Sequence, residues 1–266
     1  MTDRPIHDPG DFERLTASLA EAVREHPDMR GLAFLGSGSQ EAEARRDEWS
    51  DHDFFAIANP GAASDARRDL DWLPRREDLV LTAREGGIGF VAVYADGHVL
   101  EFAVAETAEL QEALAEEATV VVDDDQSSTR RLIAEAKART AGTLRPDAVN
   151  DTRLALVKLL IGTGRLRRGE TINGGQFVRQ WAVKHLIAAV RARSASDDDR
   201  AATPLESTRR FEADFPEIAA EIEAAIAQPA EAAAERLFAL TRVVLEPGWD
   251  EFPSAAADAI ARRLGW

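Results

Sequence analysis

Every stretch of this sequence that alternates like a β-strand lies before residue 123, and from about residue 127 onward only the longer helical period recurs. That break dictates an α+β chain, a small mixed-sheet domain followed by an all-helical one. Strand patterns fall at 31–35, 53–58, 79–83, 88–94, 99–104 and 119–122. The clearest local signal is the hairpin that turns through Ala95-Asp96-Gly97, because Asp-Gly between two apolar strands supplies the positive backbone angles of a tight turn. Helices are expected at 11–26, 62–73 and 107–117 among the strands. Beyond them the helices are expected at 127–140, 147–163, 173–192, 208–224, 229–245 and 252–263, with a polar loop from Ser194 to Thr203. The domain boundary is placed within Thr140–Pro146, which divides the chain into 1–142 and 143–266.

Composition narrows the chemistry. With no cysteine among 266 residues, disulfides, thiolate nucleophiles and cysteine metal sites are excluded. The net charge of -16 repels polyanions, and the arginine pairs are mostly flanked by acids rather than arrayed in a stripe, so long nucleic acid is not an expected partner. A single nucleotide stays open, since one Mg-phosphate site can be built locally in an acidic protein. The N-terminus has no apolar signal core and no uninterrupted apolar run approaches about 18 residues, so no membrane partner and a cytoplasmic location are expected.

The stretch Ser50-Asp51-His52-Asp53-Phe54-Phe55-Ala56-Ile57 raises the main question, because two acids open an apolar strand. Strand alternation puts Asp51 and Asp53 on one side and His52 on the other. Carboxylates one pleat repeat apart repel unless a proton or cation compensates them, and Mg²⁺ takes one or two carboxylates together with substrate phosphates. Taken alone, an Asp-x-Asp in an acidic chain is more often a pair of ordinary turn and strand-edge acids. Two further features favour a site. Gly36-Ser37-Gly38 follows the preceding strand and offers backbone N–H groups to an anion. Glu101 interrupts the apolar strand Val99–Val104, where it can complete a three-acid cluster or simply occupy a solvated face.

Together these residues resemble the nucleotidyltransferase domain of the polymerase-beta-like superfamily, in which a Gly-Ser turn precedes an Asp-x-Asp strand and a third acid stands on a later strand. The matching positions are Gly36-Ser37, Asp51-x-Asp53 and Glu101, and the core resemblance covers roughly residues 30–105. More narrowly the chain is similar to bacterial lincosamide and aminoglycoside nucleotidyltransferases, which append a helical domain to the catalytic one. The resemblance implies Mg²⁺ as cofactor and ATP or another NTP as co-substrate, with a nucleoside monophosphate passed to a hydroxyl of a small acceptor. It implies that Asp51, Asp53 and Glu101 serve as metal and catalytic residues, with Glu101 either a ligand or the base. Gly36, Ser37 and Gly38 would then bind the terminal phosphates. This sequence departs from the family in lacking a basic residue directly after Ser37 and in placing a glutamate where aspartate is common. A fold-retaining, non-catalytic nucleotide binder and a transferase acting on a protein hydroxyl are the alternatives. A homodimer is one assembly the chain allows.

In the helical part, Gln176, Gln180 and Lys184 share one helix face and Phe177, Trp181 and His185 another. Lys184 is a candidate phosphate contact, or part of a solvated polar stripe. Lys158 stands in the apolar run 154–161 and must either reach water or meet a partner. The arginines of the connection 163–170 either cap a helix or face phosphates, and Glu170 either meets the acceptor or faces water. His52 is expected to pack or hydrogen-bond behind the acid pair.

Overall fold

The computed structural model describes residues 9–143, 147–194 and 206–266, and it separates into two compact units, Met1–Thr143 and Leu144–Trp266. The expected polar loop at 194–203 falls, but for Ser194, outside the described residues.

The first unit is α+β. Six strands, β1 (Met29–Leu35), β2 (His52–Ala58), β3 (Leu79–Glu85), β4 (Gly89–Tyr94), β5 (Val99–Ala105) and β6 (Ala118–Val122), form one mixed sheet in the order β3-β4-β5-β2-β1-β6. All neighbours are antiparallel except β2 and β5, which run parallel with Asp53 beside Glu101. Alternation sorts the side chains into two layers. One face carries Phe34, Phe54, Phe90, Leu100 and Phe102 and packs with Leu15, Leu19 and Val23 of helix α1 (Pro9–Glu25) and with Trp72. The other face carries Ala33, Phe55, Ile57 and Ala105, against which lie Leu132, Ile133 and Ala136 of helix α3 (Ser128–Thr143). Asp123 and Asp124, the carboxylate run of the sequence, accept hydrogen bonds from the first backbone amides of α3 and so begin that helix.

Two expected helices are shorter in the structure. Over 62–73 only α2 (Ala63–Ala66) forms, because Trp72 and Leu73 turn inward and are buried. Over 107–117 there is a 3₁₀ turn at Thr107–Leu110, begun by a capping box between Glu106 and Glu109, and then turn and irregular chain leading to β6. The helical composition of that stretch is overridden by the need to bring β6 beside β1.

The second unit is helical throughout its described residues: α4 (Ala148–Arg167), α5 (Thr171–Gln176), a π-helical turn at Phe177–Ala182, α6 (Val183–Ser194), α7 (Phe211–Asp214), α8 (Pro216–Ile226), α9 (Ala230–Leu245) and α10 (Ser254–Leu264). The helix expected over 208–224 is split at Phe215, whose φ of -135° is non-helical, since the residue before a proline is driven out of the α region. Leu156, Leu159, Val178, Leu186, Val190, Phe211 and Leu237 form its core. A methyl at Gly162 would meet Phe177 Cβ at 2.9 Å, so the close crossing of α4 and the following helix requires glycine there. Among the described residues no helix is long and apolar enough to cross a membrane.

Candidate metal centre

The first acid, Asp51, stands just before β2 and is held from the neighbouring turn. The Ser37 hydroxyl donates to Asp51 Oδ1 at 2.9 Å and lies 2.8 Å from its backbone oxygen. Asp53 is the second residue of β2, beside Leu35 of β1 on one side and Glu101 of β5 on the other. One carboxylate oxygen from each of Asp51, Asp53 and Glu101 lies within 4.8 Å of the other two. The parity of the strands brings them together. Asp53 and Glu101 occupy the α3 side of the sheet but lie beyond the apolar residues that α3 covers.

The Gly36–Gly38 turn is a 3₁₀ turn that leaves the end of β1, and the amide of Gly36 donates to the carbonyl of Glu117 at 3.0 Å. Gly36 has φ +45°, and a methyl group there would sit 3.3 Å from Asp53 Oδ2. Glycine is therefore required twice over, for the left-handed backbone and for the space next to the acid.

The Glu101 carboxyl is raised above the usual range by partial burial first and then by the negative charges of Asp51 and Glu85. The donor set fits a hard divalent cation. Three carboxylates supply oxygen ligands only, and one oxygen from each lies within 4.8 Å of the others, inside the reach of a single such ion.

Behind the acids, His52 is fully buried, as expected from its parity. Its Nδ1 is 2.7 Å from His98 Nε2 and its Nε2 is 2.8 Å from Thr16 Oγ1, while the Phe12 ring stacks on it at 3.7 Å. Thr16 also donates to the Phe12 carbonyl at 3.0 Å, so its oxygen accepts from His52 Nε2–H, and His98 Nε2–H then donates to His52 Nδ1. Burial pushes the His52 imidazole down to about 3, with His98 and Arg46 adding to it, so it is neutral. The sequence reading missed His98 as its partner. The signal was present: His98 precedes Leu100 by two residues, and Leu100 pairs with His52, which puts both imidazoles on one face.

Lys184 belongs to the helical unit, where Gln176, Gln180 and Lys184 form an exposed stripe of one helix. Lys158 meets aromatic rings, its ammonium lying 5.5 Å from both Phe177 and Trp181. Of the arginines in the 163–170 connection, Arg165 lies over Phe177 at 4.3 Å, and Arg167 pairs with Glu231 and donates to the Leu264 carbonyl. Arg168 pairs with Glu170, which accounts for both of those side chains locally. His185 contacts Asp151 at 2.8 Å.

No family model matches this chain, and no curated protein matches it. Among solved structures it is similar to an aminoglycoside 6-adenyltransferase from Bacillus subtilis, at 9% identity over 98% of this chain and 92% of that one, with a TM-score of 0.29, a distant likeness.

Proposed function

We propose that this protein is a nucleotidyltransferase that passes a nucleoside monophosphate from an NTP to a hydroxyl of a small acceptor. The observation that carries the reading is the acid cluster: three carboxylates from two parallel strands and the segment before one of them, converging beside a glycine-serine turn. The order of these parts along the chain, Gly-Ser, then Asp-x-Asp, then a third acid, is the one that the superfamily resemblance requires.

In this reading Asp51, Asp53 and Glu101 hold Mg²⁺. When bound, the ion supplies a positive clamp on the triphosphate and on the charge that develops during transfer. Asp51 is kept in place by the Ser37 hydroxyl, and Asp53 by its position between β1 and β5. The turn at Gly36–Gly38 lies against Asp53, where its backbone can approach the terminal phosphates closely because no side chain intervenes at Gly36. Glu101 is exposed beside Asp51 and Asp53, where its carboxylate either completes the ligand set of the ion or takes the proton of the acceptor hydroxyl. Glu85 and Glu101 add negative charge on the acceptor side and favour a cationic acceptor such as an aminoglycoside. In this reading the helical unit binds the acceptor.

The test is incubation of the protein with Mg²⁺, each labelled NTP and a panel of hydroxylated acceptors, aminoglycosides and lincosamides among them, followed by mass spectrometry. A mass gain of one nucleoside monophosphate with pyrophosphate release is expected. Asp53→Ala should lower transfer by about a hundred- to a thousandfold, the scale of losing electrostatic transition-state stabilisation, while the protein stays folded by circular dichroism. Unchanged turnover in Asp53→Ala would remove the metal assignment.

A further inference from the structure

Arg46 reaches both the turn that holds Asp51 and the ring that stacks on His52. Its Nε donates to the Ser37 carbonyl at 2.8 Å and its Nη2 to the Ser39 carbonyl at 2.9 Å, so one guanidinium spans the turn that holds Asp51. Its flat face lies over the Phe12 ring at 4.8 Å, and the other face of that contact chain is the stack of Phe12 on His52 at 3.7 Å and 18°. His52 stands between Asp51 and Asp53 in the backbone. Among the described residues Arg46 makes no ion pair, so its charge is met by carbonyl oxygens and an aromatic face alone.

Such a fork is geometrically demanding. Two carbonyls two residues apart and a ring face are satisfied together only by a planar group with several fixed donors, which lysine does not provide. Ser37 is bound twice in this way: its carbonyl accepts from Arg46, and its hydroxyl donates to Asp51. Rotation of the turn would swing the Ser37 hydroxyl off Asp51. Displacement of Phe12 would free the imidazole on which the β2 entry rests.

We propose that Arg46 is a positioning residue for the cation site: by clamping the Ser37 and Ser39 carbonyls and backing the Phe12–His52 stack, it sets Asp51 against Asp53 so that both face one ion. This rests on the assignment of the three acids as a cation site, and the experiment separates the two claims. Mn²⁺ uptake by the metal-free protein is titrated by electron paramagnetic resonance of free Mn²⁺, with melting temperature recorded for every variant. Arg46→Ala is expected to weaken Mn²⁺ binding about 10- to 100-fold, the range typical of residues that orient metal ligands. Arg46→Lys should not restore it, and Phe12→Leu, which keeps bulk but removes the ring face, should fall between.

The control is Arg139→Ala. Arg139 clamps a backbone carbonyl in the same unit, with Nε and Nη2 at 3.2 and 3.1 Å from the Ala113 oxygen, far along the chain from the acids. It should lower the melting temperature without changing Mn²⁺ affinity. Wild-type affinity in a folded Arg46 variant, Phe12→Leu included if Arg46→Ala fails to fold, overturns the proposal, as does an equal loss in Arg139→Ala. Failure of the wild-type protein to bind Mn²⁺, or binding unaffected by Asp53→Ala, overturns the cation site itself and the positioning role with it.

Discussion

The two faces of β2 are one residue apart and obey opposite rules. On one, Phe54 is 1% exposed, stacked on Phe102 at 4.8 Å and edge-on to Phe34 and Trp72, while His52 has a hydrogen-bond partner at each ring nitrogen. On the other, Asp53 shares a 4.8 Å cluster with Asp51 and Glu101, and the Glu101 carboxyl is raised by partial burial first and then by the charges of Asp51 and Glu85. The first face stabilises the fold. The second gathers three acids within 4.8 Å of one another, and the proposed cation site rests on that arrangement.

The largest expected effect breaks the first face. Phe54→Ala should cost about 3–5 kcal/mol in denaturant unfolding, from lost burial and the cavity left among the aromatic rings. In the absence of divalent cations, the adjacent change Asp53→Asn, which leaves no cavity, should cost far less. Equal destabilisation by both changes would show that the two faces do not differ as described.

The faces should also titrate in opposite directions. His52 is held down to about 3 from 6.5, so the stability it contributes is present above pH 6.5 and is lost progressively as pH falls toward 3. Glu101 has a raised carboxyl, so its contribution is present below its ordinary value of 4.5 and is lost as pH rises through the raised value. His52→Gln should therefore flatten the acid limb of the stability profile. Glu101→Gln should raise cation-free stability at neutral pH by a smaller amount, because Glu101 is exposed and solvent screens it. Parallel changes in both variants would contradict the assignment.

The acid cluster was legible in the sequence because it follows from the two-residue period of strands. The same parity that sends Phe54 inward sends Asp53 outward, and the Asp96-Gly97 hairpin delivers Glu101 on a strand that pairs with β2. What surrounds the cluster was harder to read. Arg46 lies in a polar stretch with no period, and its role depends on carbonyls of a turn and on Phe12, contacts that only the folded backbone defines. The inward turn of Trp72 and Leu73 escaped for a similar reason, since burying two large side chains outweighs the helical composition around them. The break at Phe215–Pro216 is different: Pro216 carries its signal, although the helical period over 208–224 led to the expectation of one unbroken helix.

The central claim is that Asp51, Asp53 and Glu101 make one cation site. Diffraction from crystals soaked in Mn²⁺, collected to reveal anomalous scattering, tests it most directly. The account predicts a peak within bonding distance of all three carboxylates, absent in Asp53→Ala crystals. A well-ordered crystal with no peak there, or one whose Mn²⁺ sits elsewhere and is indifferent to Asp53, would contradict it.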